Sequence, residues 1–382
     1  MSYLALYRKY RPKTFDEVIG QKHITQTLIN QIKNDKVGHA YLLCGSRGTG
    51  KTSTAKIFAK AINCEHPING SPCEKCATCK ALSENNLDIL EIDAASNNKV
   101  DEIRDLREKV KYPPLNGKYK VYIVDEVHML TDSAFNALLK TLEEPPAYVV
   151  FILATTEVHK LPATILSRCM RFDFKLVSTT ELETLLRKIL NENKIAFEED
   201  AIKLISRAGE GSVRDTLSIA DMCISYAGET LTYKSVVDVL GSTEKENLSK
   251  IAEAILSGNI GSAMVELDNV LCDGKSSLIL SKDIIEYFRD LLVLSTMTEK
   301  AKELVVAEPQ IMEIMKAQAS IQNYTKIVQI VELLSSIEAE LRYSSHPRIV
   351  LEANIVKAMN ANSILKRIER IEKIIESGDS KN

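Results

Sequence analysis

Short apolar runs alternate with helical patterns through the first half of the chain. The runs lie at residues 39–44, 87–93, 121–125 and 149–154. Residues 119–124 and 149–154 place apolar side chains on both faces of a strand, which is typical of parallel strands covered by helices. Between them, residues 133–143 have helical spacing and end before Pro145. The pattern predicts a doubly wound α/β domain over residues 1–176.

The second half of the chain has a different pattern, because the strand signal disappears after about residue 177. Helical spacing recurs over residues 180–190, 199–208, 212–227 and 233–240, and we expect a helical lid domain over residues 177–242. A helical stripe follows, formed by Ile327, Ile330, Leu334, Ile337 and Leu341. It predicts an all-helical domain over residues 243–362. Residues 363–382 form a tail that fits either a short coiled-coil seam or a terminal helix.

Composition and charge narrow the class of protein. The 382 residues include 49 Lys and Arg against 52 Asp and Glu, a net charge of −3. That balance excludes a globally basic nucleic-acid coat but leaves room for a local basic groove. The N-terminus has no basic start followed by an apolar core, and no run of about 18 apolar residues occurs. We therefore expect a cytoplasmic protein without a membrane span.

A phosphate-binding loop follows the first predicted strand. Its sequence GSRGTGKT matches the pattern G-x-x-x-x-G-K-[ST], with the residues Gly45, Ser46, Arg47, Gly48, Thr49, Gly50, Lys51 and Thr52. Backbone N–H groups of such a loop surround a β-phosphate, and the following helix adds its positive dipole. We expect Lys51 to contact the β- and γ-phosphate oxygens and Thr52 to bind Mg²⁺.

Two adjacent acids end the predicted strand at residues 121–125. Asp125 would organise the Mg²⁺ shell, and Glu126 would polarise the attacking water. Adjacent carboxylates at a strand end are costly unless a cation or solvent meets them. His128 has two readings, as a base or as a packing and hydrogen-bonding residue, and the sequence favours the second.

Four cysteines cluster after the phosphate-loop helix, and they are Cys64, Cys73, Cys76 and Cys79. Two residues between thiolates allow neighbouring sulfurs to share one tetrahedral ion, so the spacing favours a structural Zn²⁺ site in a module at about residues 62–82. An iron–sulfur cluster and buried free thiols stay open as alternatives. The other four cysteines are scattered singly, which is typical of a reducing compartment.

These motifs resemble the bacterial gamma/tau family of DNA polymerase III clamp-loader ATPases, a branch of the AAA+ group. The resemblance extends to about residue 360. Besides the cysteine insertion, it rests on YRPKTFDEVIGQ at 10–21, DEVH at 125–128, LLKTLEEPP at 138–146, LATT at 153–156 and SRC at 167–169. It implies an α/β P-loop ATPase domain with a zinc-binding insertion, a helical lid and an all-helical collar, with ATP, Mg²⁺ and Zn²⁺ as cofactors.

The resemblance also implies roles that spacing alone does not assign. The segment that packs on the adenine would comprise Arg11, Pro12, Val18 and Ile19. Thr155 would sense the γ-phosphate, although it could be only a strand-end hydroxyl.

Two arginines gain roles in the same way. Arg168, with no carboxylate beside it in the sequence, would be the arginine finger supplied in trans; without the family it reads as an ordinary surface arginine. Arg214 would touch the γ-phosphate in cis, with a structural ion pair to Asp215 or Glu210 as the alternative.

The implied partners are other clamp-loader subunits, copies of the chain in a ring, the sliding clamp and primer–template DNA bound without sequence preference. A longer tau-type form would add the polymerase core and the helicase. Such an ATPase would be grouped with the nucleotidyltransferases of the polymerase III holoenzyme, although the chain lacks a polymerase site. Two other functions stay open: a non-hydrolysing scaffold subunit, and an AAA+ DNA motor of the branch-migration type.

Residues that contact DNA are not assigned by the sequence. Lys99, Arg104, Asn97 and Asn98 are candidates because they follow a strand end, but a solvated helix face is the favoured reading. Binding through the phosphate backbone would be salt-dependent and independent of sequence.

Overall fold

A computed structural model describes residues 4–84, 87–96, 106, 108–297, 304–305, 307, 309–321 and 324–360. The chain forms two compact units. The first comprises residues 1–195 and 205–224, and the second comprises residues 196–204 and 225–382. The tail at 363–382 and the four candidate DNA contacts at 97, 98, 99 and 104 lie outside the described residues. Among the described residues, no helix is long and apolar enough to cross a membrane.

The first unit is built on a five-stranded parallel sheet. Its strands are β1 (Ala40–Cys44), β2 (Ile89–Asp93), β3 (Lys120–Asp125), β4 (Val149–Thr155) and β5 (Met170–Asp173), in the spatial order β2-β3-β4-β1-β5. Every residue of β1 and β4 is buried, as expected for central strands with helices on both faces. The predicted α/β class is confirmed.

The register brings several strand ends to one edge of this sheet. Cys44 at the end of β1 pairs with Thr155 at the end of β4, while Asp125 of β3 pairs with Asp93 of β2. Because all five strands are parallel, the loops that follow them emerge at the same edge. This edge carries the phosphate loop, the acidic pair and Thr155.

The helices of this unit include the segments predicted at residues 133–143, 180–190, 199–208 and 212–227, together with helices that were not predicted. They are α1 (Leu6–Lys9), α2 (Lys22–Lys33), α3 (Lys51–Asn63), α4 (Ala77–Glu84), α5 (Asp132–Glu143), α6 (Ala163–Leu166), α7 (Thr179–Glu192), α8 (Glu199–Ala208) and α9 (Val213–Ala227). Residues 199–204 of α8 and 225–227 of α9 belong to the second unit. A capping box fixes the start of α7, since Ser178 Oγ accepts from Glu181 N at 3.4 Å and Ser178 N donates to Glu181 Oε2 at 3.3 Å.

The second unit is mostly helical, as predicted. Its helices are α10 (Tyr233–Leu240), α11 (Lys245–Ser257), α12 (Ile260–Cys272), α13 (Ser277–Thr296), α14 (Pro309–Ile321), α15 (Tyr324–Ser336), α16 (Glu338–Tyr343) and a last helix over residues 347–360. The predicted apolar stripe is buried, from Ile327 at 0% exposure to Leu341 at 4%. One expectation was wrong: strand pairing does continue after residue 177, because β6 (Ala196–Phe197) and β7 (Thr230–Leu231) form a short parallel pair.

Candidate nucleotide site

The phosphate loop connects β1 to α3, and its glycines adopt conformations that other residues avoid. Gly45, Gly48 and Gly50 have φ values of +142°, +75° and +101°. Lys51 at the start of α3 is 6% exposed, and its Nζ donates to the carbonyls of Gly45 at 2.7 Å and Ser46 at 2.8 Å. Burial lowers the pKa of Lys51, whereas Glu126 and Asp125 oppose that shift. The ammonium group is therefore held at the loop by carbonyl oxygens.

The acidic pair lies beside this loop. Thr52 Oγ1 donates to Asp125 Oδ2 at 2.6 Å, so the hydroxyl and the carboxylate predicted to share Mg²⁺ are in direct contact. Asp125 Oδ1 accepts from Glu126 N at 2.9 Å, and Glu126 has a positive φ of +47°. Hydroxyl and carboxylate oxygens are ligands that Mg²⁺ prefers, so these residues fit the ion.

A cavity of about 690 Å³ extends from the loop and lies entirely within the first unit. Most of the predicted nucleotide contacts line it: Arg11, Pro12, Val18, Ile19, Arg47, Gly48, Thr49, Gly50, Lys51, Thr52, Asp125, Glu126 and Arg214. Basic, acidic and apolar groups thus surround one space, as recognition of a nucleotide with a metal requires.

Thr155 is not among the described residues that line the cavity. It is fully buried, and its Oγ1 accepts from Glu157 N at 3.0 Å. The same oxygen lies 3.0 Å from His128 Nδ1. The side chain is therefore held in a polar cluster behind the acidic pair, and the predicted sensor role stays a prediction.

Arg168 also lies outside the cavity lining of the described residues. The sequence placed no carboxylate beside it, but folding does: Arg168 Nη2 donates to Glu143 Oε1 at 2.8 Å. Glu143 ends α5, 25 residues earlier in the chain, so only packing brings the two together. The Arg168 side chain keeps 34% of its surface exposed, which leaves it accessible to another subunit.

Arg214 does line the cavity, near the start of α9. Among the described residues it forms no ion pair with Asp215 or Glu210; its guanidinium lies 5.3 Å from the centre of the Tyr7 ring instead. The backbone N–H groups of Val213 and Arg214 donate to the Gly48 carbonyl at 3.1 and 3.4 Å. The phosphate loop and the start of α9 are therefore directly joined.

The four clustered cysteines meet in space. Their sulfur atoms all lie within 4.8 Å of one another. Backbone N–H groups of Cys73, Cys76 and Cys79 each donate to the sulfur of the preceding cysteine in the set, at 3.3 Å. Four thiol sulfurs at this separation fit a tetrahedral Zn²⁺ ion, and the Zn²⁺ assignment itself stays a prediction.

The acidity of these thiols is uneven. Backbone N–H groups of Lys75 and Cys76 lower the pKa of Cys73 to about 6, whereas burial raises the pKa of Cys64 and of Cys79. An ion that binds all four as thiolates must therefore displace protons, which makes its affinity fall with decreasing pH.

Sequence reasoning missed several members of the site. Tyr7, Leu185 and Leu217 line the cavity from three separate elements, and no local pattern marked them. Thr156 was quoted only as part of a motif, yet its Oγ1 donates to Glu126 Oε2 at 3.0 Å. Its position next to Thr155 at the end of β4 was the only available signal.

Three family models match successive parts of the chain. They are described as "DNA polymerase III, delta subunit" over residues 20–178, "DNA polymerase III clamp loader subunit, ATPase lid domain" over residues 181–229 and "DNA polymerase III subunits gamma and tau domain III" over residues 231–374. The ends of these ranges differ from the predicted domain boundaries at residues 176, 242 and 362, which stay predictions.

Curated relatives carry related names. The chain is 42% identical to DNA polymerase III subunit tau of Bacillus subtilis, over 98% of this chain and 69% of that protein. It is 47% identical to subunit tau/gamma of Haemophilus influenzae over 68% of this chain and 38% of that protein. It is 35% identical to subunit gamma of Buchnera aphidicola over 94% of this chain and 100% of that protein. A solved structure of the Thermotoga maritima RuvB Holliday junction branch migration motor is only weakly similar, with 20% identity over 65% of this chain, 79% of that chain and a TM-score of 0.46.

Proposed function

Because the chain belongs to the gamma and tau family of DNA polymerase III subunits, we propose that it is the ATPase of a replicative clamp loader. ATP binding would drive opening of a sliding clamp, and hydrolysis would accompany its release onto primed DNA. The observation that supports this most is the gathering of Lys51, Thr52, Asp125 and Glu126 around one cavity. These are the residues that would bind ATP, Mg²⁺ and the attacking water.

The proposed residue roles divide between one subunit and its neighbour. Lys51 would neutralise phosphate charge, Thr52 and Asp125 would hold Mg²⁺, and Glu126 would orient water. Arg168 would enter the site of an adjacent subunit, because it lies outside the cavity of its own chain and stays partly exposed. Hydrolysis would then depend on assembly, and the proposed partners are companion subunits, copies of this chain, the sliding clamp and primer–template DNA. Action on replicating bacterial DNA would take place in the cytoplasm.

The finer assignments follow from the same family membership. Arg11, Pro12, Val18 and Ile19 would contact the adenine, and Arg214 would reach the γ-phosphate from the start of α9. The cysteine cluster would hold a structural Zn²⁺ ion without an open position for catalysis. The chain would be grouped with the polymerase holoenzyme as a component that supplies ATP hydrolysis rather than nucleotide transfer.

The experiment measures ATP turnover of the chain with companion subunits, clamp and primed DNA, each omitted in turn. We expect full turnover only with all of them present. Glu126→Gln should retain ATP binding and lose turnover, because the amide cannot accept a proton from water. Equal turnover by the isolated chain and the complete mixture would contradict a role as a loader.

The finger assignment has its own variant and control. Arg168→Ala should bind ATP normally and lose about 10³-fold or more of the stimulated turnover. Arg171→Ala is the matched control, since Arg171 is 48% exposed and pairs with Asp173 two residues away. Unchanged turnover in the Arg168 variant, or an equal loss in both variants, would show that Arg168 does not complete a neighbouring site.

A further inference from the structure

His128 has a buried side chain beside the acidic pair, and the proposed ATPase reaction gives this histidine no role. It lies in the short 3₁₀ turn Val127–Met129 that follows β3, and its side chain is 6% exposed. It is not among the described residues that line the nucleotide cavity. A role as the proton acceptor from water is therefore disfavoured, because the imidazole does not face the space where ATP would bind.

Both ring nitrogens of His128 have polar neighbours. Nε2 lies 3.3 Å from Glu157 Oε1, and Nδ1 lies 3.0 Å from Thr155 Oγ1. Thr155 Oγ1 already accepts from Glu157 N at 3.0 Å, so its own proton is free to be donated. One proton arrangement satisfies all three groups: Nε2–H donates to Glu157, and the Thr155 hydroxyl donates to Nδ1.

The same ring lies against the carboxylate proposed to orient water. Glu126 Oε2 is 3.5 Å from His128 Nδ1 and accepts from Thr156 Oγ1 at 3.0 Å. The proposed γ-phosphate sensor and the proposed catalytic carboxylate thus both lie next to Nδ1 of the imidazole. A mostly buried side chain with a polar neighbour at each nitrogen restricts the positions of its neighbours, which is how supporting residues pre-organise a reacting group.

We propose that His128 is a positioning residue for ATP hydrolysis, which orients the Thr155 hydroxyl through Nδ1 and packs against the Glu126 carboxylate. This inference rests on the proposed ATPase function. Glu157 orients the imidazole from the opposite side, through Nε2. The Glu157 carboxylate, the His128 imidazole and the Thr155 hydroxyl thus form a chain of hydrogen bonds. The arrangement acts on the chemical step and not on nucleotide affinity, because His128 itself contacts none of the cavity.

Three substitutions of His128 test the roles of its two ring nitrogens separately. His128→Phe retains the packing volume and removes both polar contacts. His128→Asn places an amide oxygen near the position of Nδ1, where it can accept from Thr155. His128→Gln places its amide near Nε2, where it can contact only Glu157. In the complete mixture with companion subunits, clamp and primed DNA, we expect kcat to fall about 10–100-fold for Phe and Gln.

The expected result for Asn is recovery of at least half of the wild-type kcat. The dissociation constant of a fluorescent ATP analogue should stay within about twofold of wild type for all three variants. His159→Ala is the matched control, since His159 lies 3.5 Å from Oε2 of the same Glu157 but is 73% exposed. It should have wild-type kcat.

The outcomes distinguish this inference from the function on which it rests. Absence of stimulated turnover in the wild-type mixture would contradict the proposed function and this inference together. Normal wild-type turnover with an unchanged kcat in the Phe and Gln variants would contradict the positioning role alone. Equal losses in all three variants, with weakened nucleotide binding, would show that His128 serves only to fold the site; thermal unfolding would reveal that loss as a lower midpoint.

Discussion

Gly48 of the phosphate loop lies in contact with the segment that begins α9. Its φ is +75°, and a Cβ at this position would lie 1.9 Å from Ser212 Oγ. That hydroxyl accepts from Asp215 N at 3.2 Å and thereby caps α9. A methyl group on residue 48 would therefore strain the loop and also displace the cap.

We expect Gly48→Ala to weaken ATP binding at least about tenfold and to lower the free energy of unfolding by roughly 2–4 kcal/mol, from left-handed strain and a steric clash together. Gly228→Ala is the matched control: its φ is +73°, but nothing lies within 4 Å of the added Cβ. It should cost about 1 kcal/mol and leave ATP affinity unchanged. Isothermal titration and denaturant unfolding measure both effects, and equal effects in the two variants would contradict the steric explanation.

At the level of residues, the sequence predicted those site residues whose identity follows from local spacing in a motif. Lys51, Thr52 and Asp125 were predicted as phosphate and Mg²⁺ contacts because the phosphate loop and the strand-end acids have fixed patterns. The structure places all three at one cavity, and their roles stay predictions. The pairing of Arg168 with Glu143 could not be predicted, because it depends on how α5 packs beside residues 25 positions later. An exposed pair of this kind contributes only about 0–1 kcal/mol, so it does not prevent Arg168 from changing partner.

Among secondary-structure elements, long periodic segments were predicted better than short ones. Residues 199–208 and 233–240 were expected to be helical and are α8 and α10. The two-residue strands β6 and β7 were missed, since a strand of that length has no detectable alternation. The apolar stripe over residues 327–341 was predicted correctly as a buried face, but α15 ends at Ser336 and α16 starts at Glu338.

Asp283 on α13 gives the helical unit a pH-dependent stability. It accepts from Thr243 N at 2.6 Å, and burial raises its pKa to about 6. Since the carboxyl of an unfolded chain has a pKa near 3.9, the folded state binds more protons between about pH 4 and pH 6. The contribution of the protonated Asp283 carboxyl to the free energy of unfolding is therefore fully present below pH 4 and is lost as pH rises through 6.

Replacing Asp283 with Asn should stabilise the chain at pH 7 by roughly 1–3 kcal/mol, because the amide oxygen still accepts from Thr243 and carries no charge. The change in Tm between pH 4 and pH 7 should shrink accordingly. Asp268→Asn is the control of opposite sign, since the hydrogen bond from Arg348 lowers the pKa of Asp268. The contribution of the Asp268 carboxylate to stability is lost as pH falls. If Tm changed with pH in the same way for both variants, the explanation by the raised pKa of Asp283 would be contradicted.

For the molecule as a whole, the insertion that carries the cysteine cluster packs against the rest of the first unit. Ser71, inside the insertion, accepts from Phe15 N at 3.0 Å in a buried contact. A Cβ on the neighbouring Gly70 would lie 2.8 Å from Ile29 of α2. Loss of an ion bound by the four cysteines should therefore loosen packing beyond the cysteines themselves.

We expect one Zn²⁺ per chain by elemental analysis, and removal with a chelator should lower the Tm of the chain. Cys64→Ser should reduce the Zn²⁺ content and the Tm, because a serine hydroxyl is a poor substitute for a thiolate. Cys272→Ser, which changes an exposed cysteine in the other unit, should alter neither. Iron in the elemental analysis together with visible absorption would identify an iron–sulfur cluster instead of Zn²⁺. Absence of any metal would show that the four cysteines are free thiols.

The hydrogen bonds from Val213 and Arg214 to Gly48 have a consequence for nucleotide exchange. The start of α9 is joined to the phosphate loop, and farther along α9 Asp221 accepts from Leu6 N at 3.3 Å. Nucleotide therefore binds in a space whose walls are held by the same helix. Free-energy coupling of this kind is reciprocal: if ATP strengthens the attachment of α9, then any contact that pulls α9 away must weaken the binding of ATP. Control over nucleotide affinity can thus be exerted at a surface that never touches a phosphate.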